Sequence, residues 1–252
     1  MNPQWSPRKK KAIFFDLNET LLDTRRTFTD SFVTVLQDYI GRWNPDEGVP
    51  LEQVAAQYQS EWRKRIKNKK KSAVPMDRIR RTSLAAALNP LPLPTNRAFV
   101  ETFLQKVDQV NAQQPKLYPG AREALQFLSR HYKLALISNG KEEKTERYIN
   151  RLHLQDYFPA SHRFTSVRKD RKKPNAYLFL QALKALQISK EEAVMVGNSW
   201  HLDILGAVRC GIDAIWFDPL HKEKNSHKSI GSQSVYIVRS WEQLASLFAP
   251  HS

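Results

Sequence analysis

The stretch Ala12-Ile13-Phe14-Phe15-Asp16-Leu17-Asn18-Glu19-Thr20-Leu21-Leu22-Asp23 decides the fold. Its first four residues are apolar without interruption. That pattern predicts a short strand, Ala12–Phe15, buried on both faces, as in a parallel sheet. An acid follows directly. Open α/β sheets bind ligands beyond the carboxyl ends of their strands, so Asp16 falls where active sites lie. A carboxylate there can attack a substrate and form a covalent intermediate. The same residue can also simply cap the segment that follows it. On its own, the stretch leaves both readings open.

Working outward, further short apolar runs occur at 134–138, 163–166, 193–196, 214–217 and 235–238. Helical patterns at 121–131, 142–152, 176–186 and 202–210 lie between them. This alternation predicts a doubly wound, Rossmann-like α/β core with a parallel sheet. Right-handed crossovers would bring the strand ends to one edge. The alternation breaks over 24–116, where helical patterns at 28–40, 51–67, Met76–Leu88 and 97–110 are punctuated by Pro45, Pro50, Pro75 and a loop at 89–94. We read residues 1–23 and 117–252 as the core and 24–116 as an inserted α-helical domain. The polar stretch 221–233 reads as a mobile loop before the last strand.

At 252 residues, 41% hydrophobic and 26% charged, the composition is that of a globular protein. No apolar run approaches the roughly 20 residues of a membrane span, and the basic start lacks a signal-peptide core. Cys210 is the single cysteine, so no intramolecular disulfide is possible. A cytoplasmic protein without membrane insertion is expected. Lys and Arg number 40 against 25 Asp and Glu, a net +15. That balance suits a small anionic, phosphorylated substrate, nucleic acid or an anionic surface, or serves solubility alone. The most basic segment, 61–81, holds ten Lys and Arg against Glu61 and Asp77. It is either a solvated face or an anion-attracting surface. Tyr58 and Trp62 nearby read as core residues, with base stacking as the alternative.

Three further segments share the placement of Asp16 after a buried strand or before a helix. In Leu136-Ile137-Ser138-Asn139-Gly140, a small hydroxyl ends a strand and turn residues follow. Ser138 and neighbouring backbone N–H groups can bind phosphate oxygens. In the run from Arg168 to Asn175, Pro174 suits a first helical turn, and Lys173 before it can reach a phosphate or a carboxylate nucleophile. In Val196-Gly197-Asn198-Ser199-Trp200-His201-Leu202-Asp203, a strand runs through a Gly turn into a helix, followed by Gly206-Ala207, which permit close packing. Oxygen ligands from this turn, with Asp16, can hold a hard cation such as Mg²⁺. His201 reads as a helix-surface residue and Cys210 as a small core residue.

Taken in order and spacing, the four segments resemble the signature motifs of the haloacid dehalogenase-like hydrolases. The resemblance covers the core from Lys11 to Phe217, and the stretch 24–116 looks like that family's cap domain. It implies that Asp16 is the nucleophile and that Ser138, Asn139 and Lys173 bind the transferred group. Lys173 would also neutralise charge beside Asp16, and Thr20 would orient the first loop. In the phosphatase branch it implies Mg²⁺ held by Asp16, the backbone carbonyl of Asn18, Asn198 and Asp203.

Two positions depart from that pattern. The family normally has a second Asp two residues after the nucleophile, acting as general acid and base; here it is Asn18. The fourth motif normally reads Gly-Asp; here it reads Gly197-Asn198. Glu19 stands where the family often has Gly, so the local turn is expected to differ. The leading expectation is a Mg²⁺-dependent phosphatase of a small metabolite, attenuated by Asn18 and Asn198. A 2-haloacid dehalogenase, which needs neither metal nor an acid at position 18, is one alternative. The other is an inactive scaffold that binds nucleic acid through its basic segment.

Overall fold

The computed structural model describes residues 7–41, 51–69, 74–221 and 227–249. The chain divides into two compact units, 1–23 with 116–252, and 24–115. The Asp23 N–H donates to the Lys116 carbonyl (2.9 Å), so Lys116 joins the first unit, one residue earlier than read from the sequence.

The first unit begins with strand β1 (Ala12–Phe15). The second unit follows as four helices: α1 (Thr24–Ile40), α2 (Leu51–Lys69), α3 (Met76–Leu88) and α4 (Arg97–Gln113). The first unit then resumes with α5 (Ala121–Leu128), β2 (Lys133–Ser138), α6 (Glu142–Arg151), β3 (Arg163–Thr165), α7 (Tyr177–Leu186) and β4 (Ala193–Gly197). It ends with α8 (Leu205–Arg209), β5 (Asp213–Phe217), β6 (His227–Ile230), β7 (Gln233–Val238) and α9 (Trp241–Phe248).

Seven strands form one sheet in the order β3-β2-β1-β4-β5-β7-β6. All neighbours pair parallel except β6 with β7. β1 occupies an interior position, flanked by β2 and β4. The side-chain period of two splits its four residues between two cores. Ile13 and Phe15 face a cluster with Leu125, Ile149, Trp241 and Leu244, from α5, α6 and α9. Ala12 and Phe14 face the other, with Leu178, Phe179 and Ala182 of α7 and Ala207 of α8. A strand buried on both faces needs apolar residues at every position, which is why the run shows no alternation.

The sheet departs from the sequence reading at its last edge. Part of the polar stretch 221–233 is strand β6, paired antiparallel to β7 from His227↔Tyr236 to Ile230↔Gln233. Residues 222–226 lie outside the described ones. An edge strand has one solvated face and tolerates the polar sequence His-Lys-Ser-Ile, so its composition hid it. The predicted helix 202–210 is instead a π-helical turn, Trp200–Ile204, that tightens into the short α8. Cys210 follows α8, only partly buried against the second core, and burial pushes its thiol pKa up.

The helical unit has a core of its own. Phe32, Leu36, Tyr58, Leu84, Leu88, Phe103 and Val107 pack together at spacings of three and four along their helices. Much of its basic charge is answered locally. Lys64 and Arg65 pair with Glu61, Arg80 with Asp108 (2.8 Å) and Arg81 with Glu101 (3.0 Å). Lys70 and Lys71 of the basic segment lie outside the described residues. No described helix is long and apolar enough to cross a membrane.

Candidate active site

Three charged side chains meet beyond the carboxyl ends of β1 and β4. Asp16 continues β1, its N–H donating to the Val196 carbonyl of β4 (2.9 Å). Lys173 reaches in from the loop ahead of α7. Its Nζ donates to Asp16 Oδ1 (2.6 Å), Asp203 Oδ1 (2.6 Å) and the Ile137 carbonyl of β2 (2.7 Å). All three donor positions of the ammonium are thereby used. Its side chain is 1% exposed, as is that of Asp203, and that of Asp16 is 12% exposed. Of the three, Asp16 keeps the most access, which suits a group that must meet a substrate.

The charges shift one another. Burial alone would push the Lys173 ammonium down, but the attraction of Asp16 and Asp203 outweighs it, and the pKa stands above its ordinary value. Burial raises the Asp203 carboxyl to about 6 against the pull of Lys173, with Asp16 adding to the rise. The trio carries one negative charge in excess of its single ammonium when both carboxylates are ionised.

Lys173 is held by its backbone as well. The Asn139 side chain accepts from the Lys173 N–H (2.7 Å) and donates to its carbonyl (3.0 Å). Asn139 was expected to bind substrate. In this structure its amide is engaged on both sides with the lysine's own peptide. Ser138, 1% exposed, accepts from the Gly140 N–H (3.1 Å) and so closes the turn after β2. It follows Ile137, whose carbonyl Lys173 binds. Pro174 does not open the helix as expected. It follows a cis peptide bond, and α7 begins only at Tyr177, whose N–H is taken by Asn175 Oδ1 (2.8 Å). That side-chain turn delays helix entry beyond the proline.

The fourth segment folds back on β4. Asp203 Oδ2 accepts from the Ser199 N–H (2.9 Å), and Ser199 Oγ accepts from the Leu202 N–H (3.2 Å), capping the π turn. Both Asp203 oxygens are thus in use. Gly197 makes the approach possible: a Cβ there would lie 2.4 Å from Asp203 Cβ and Cγ. Gly197→Ala is therefore expected to displace Asp203 and cost about 1–3 kcal/mol, read as a Tm roughly 2–10 °C lower; an unchanged Tm would mean that the turn yields freely. Gly206 packs against α7 and not the sheet, its Cβ position lying 3.0 Å from the Phe179 ring and 3.2 Å from Pro174 Cα.

Thr20 is fully buried and links the first and fourth segments through long contacts to Asp16 Oδ2 (3.4 Å) and Asn198 Oδ1 (3.5 Å). These two oxygens therefore gather around one hydroxyl, on the part of Asp16 that Lys173 leaves open. They are hard donors of the kind Mg²⁺ takes, and Asn18, an exposed residue, is close in sequence. Among the described residues no cluster of three or more His, Cys, Asp or Glu side chains is arranged as a metal site. The donors fit Mg²⁺ in kind, with one carboxylate and one neutral amide where a tight site would carry more charge.

Glu19 adopts φ +58, a left-handed backbone that disfavours side chains, and its Oε2 accepts from the Tyr118 hydroxyl (3.3 Å). That tie holds its carboxylate to the segment returning from the helical unit. Two tryptophans were missed by the sequence reading. Trp241 of α9 donates its Nε1–H to the Thr20 carbonyl (3.2 Å) and stacks on Phe15 at 5.6 Å. Trp216 of β5 donates to the Asn198 carbonyl (2.9 Å) and meets Trp200 edge-on at 5.0 Å. His201 is exposed, as read from the sequence.

A family model for haloacid dehalogenase-like hydrolases matches residues 10–211, from the start of β1 through the fourth segment. The chain belongs to this family. Among curated relatives of this hydrolase, a glyceraldehyde 3-phosphate phosphatase of Pyrococcus abyssi is 31% identical, covering 82% of this chain and 81% of that one. The pyrimidine 5'-nucleotidase YjjG of Escherichia coli is 26% identical over 95% of this chain and 98% of that one. Among solved structures, the HAD hydrolase YfnB of Bacillus subtilis, with magnesium bound, shares the fold with a TM-score of 0.61. It is 21% identical and covers 95% of this chain and 98% of that one.

Proposed function

We propose that this HAD hydrolase is a Mg²⁺-dependent phosphatase of a small phosphorylated metabolite, acting through an aspartyl-phosphate and slowed by Asn18. The observation that carries the reading is the buried trio of Asp16, Lys173 and Asp203 at the carboxyl edge of the sheet. Burying three charges costs several kcal/mol per ion, a cost that a scaffold without chemistry gains nothing by keeping. The relatives quoted above, named for phosphate esters, favour phosphorus over carbon as the atom attacked.

Asp16 attacks phosphorus; the bond from phosphorus to the ester oxygen breaks, and the phosphoryl group stays on the carboxylate. Lys173 holds the carboxylate through its ammonium and offsets charge as the anionic group arrives. Ser138 and the turn at Gly140 would bind phosphoryl oxygens. The leaving oxygen needs a proton, and Asn18 has none to give at neutral pH, so that proton comes from water. Water then attacks the aspartyl-phosphate without a carboxylate at position 18 to activate it. Mg²⁺, when bound at Asp16, Asn198 and the backbone carbonyl of Asn18, would supply shielding between the carboxylate and the anionic phosphate.

The test is phosphate release from p-nitrophenyl phosphate and a panel of phosphorylated metabolites, in Mg²⁺ and in EDTA. Release is expected with Mg²⁺, at millimolar concentrations because of the low donor charge, and is expected to vanish in EDTA. Equal rates in EDTA would remove the metal from the reading. No release from any ester at any Mg²⁺ concentration would sink the phosphatase itself.

A further inference from the structure

The helical unit carries a cavity of about 580 Å³, within the usual range for small-molecule sites. Arg25 and Phe28 of α1, Trp62 and Arg63 of α2 and Asn111 of α4 are among its lining residues. Two features distinguish it from a gap left by imperfect helix packing.

The first is polar. Trp62 Nε1 and Asn111 Oδ1 are shielded from solvent and have no hydrogen-bond partner among the described residues. A shielded donor or acceptor left unpaired costs free energy. Here one of each occurs in the wall of one cavity. A small turn of each side chain toward the cavity would let a ligand presenting an acceptor and a donor recover both losses.

The second is the aromatic wall. Phe28 stacks on the fully buried Tyr58 at 5.4 Å and 21°, and Tyr58 in turn lies 6.0 Å from Trp62. Rings braced in this way offer fixed faces to another planar ring, and such stacking tolerates any base. Arg25 and Arg63 are exposed. The Arg63 guanidinium makes a long contact with Gln59 Oε1, 3.4 Å, which leaves its remaining donors available to an anion.

We propose that this cavity binds a planar heteroaromatic ring joined to an anionic group, the chemistry of a nucleoside monophosphate. The ring lies against Phe28 and Trp62, with its polar edge toward Trp62 Nε1 and Asn111 Oδ1. The anion lies at Arg25 and Arg63. The site stands whether or not the protein hydrolyses phosphate esters; if it does, the cavity names the substrate class.

Calorimetry on the full chain in EDTA, which suppresses turnover, with uridine, UMP, AMP and glycerol 3-phosphate tests this. UMP or AMP is expected to bind saturably, at least tenfold more tightly than glycerol 3-phosphate, and uridine more weakly than UMP. Trp62→Phe keeps an aromatic ring, removes the donor and narrows the stacking face; nucleotide affinity is expected to fall about tenfold. Asn111→Leu is expected to act in the same direction. Arg63→Gln is expected to weaken UMP and leave uridine unchanged. Glycerol 3-phosphate matching the nucleotides, no saturable heat with UMP or AMP, or wild-type affinity in Trp62→Phe and Asn111→Leu would overturn the proposal. Nucleotide binding without phosphate release from any ester would overturn the phosphatase reading alone. Phosphate release from other esters without nucleotide binding would overturn this inference alone.

Discussion

Asn18→Asp is expected to raise kcat for phosphate esters by about 10²–10⁴-fold, the usual contribution of a positioned acid–base group. The residue is exposed, in the loop that leaves β1 two positions after Asp16. Asp is nearly isosteric with Asn, so the substitution adds a titratable oxygen without crowding the loop. The gain should be largest on alkyl phosphates, whose leaving oxygen needs a proton, and small on p-nitrophenyl phosphate, whose leaving group does not. Asp16→Asn, made in both backgrounds, is the companion measurement. It removes the nucleophile and should abolish phosphate release whichever residue stands at 18, because groups that act as one unit are not additive. Equal kcat for wild type and Asn18→Asp on alkyl phosphates would show that proton transfer at this position does not limit the rate.

Lys173→Met is expected to lose about 3–5 kcal/mol of stability, the cost of removing one partner of a buried charge cluster. Methionine matches the lysine stem in volume, so the loss would report charge and not a cavity. It leaves Asp16 and Asp203, each 2.6 Å from the missing Nζ, as neighbouring carboxylates with no cation between them. The double variant Lys173→Met/Asp203→Asn separates the causes. If repulsion between the two acids drives the loss, the second change should recover part of it, a coupling that a double-mutant cycle in urea measures. Strict additivity would mean that the lysine acts through its Ile137 contact and its stem alone. Activity should be lost in both variants, since the ammonium that offsets charge beside Asp16 is gone.

The sheet was legible because interior parallel strands are apolar at every position, and Ala12–Phe15 and 193–196 therefore stand out from any helix nearby. β6 was not, because an edge strand pairs through its backbone and imposes little on its side chains. α9 carried a usable signal, Ser240 followed by Trp241, Leu244 and Phe248 at helical spacing, with Ser240 accepting from the Gln243 N–H. Asp16, Lys173 and Asp203, which the structure brings into contact, stood out in the sequence through their place at strand ends and turns. The pairing of Asn139 with the Lys173 backbone was not legible, because a sequence does not say whether an amide beside a turn faces a ligand or another loop's backbone. The positive φ at Glu19 was foreshadowed only by comparison with a family that favours glycine there. Trp216 and Trp241 act through contacts distant in sequence, which no local pattern records.

The bond from Trp241 to the Thr20 carbonyl joins residues 221 positions apart. Contacts of such separation are the slowest to gain, because the intervening chain must be ordered first. During synthesis, β1 and Asp16 are made long before the indole that braces their loop. At about 5–20 residues per second, a nascent chain would carry Asp16 for roughly ten to forty seconds before Trp241 existed to steady it. The Asp16 loop of this enzyme is thus braced by an element made much later, and a chain arrested before α9 would possess every charged residue of the site without the indole that steadies this loop.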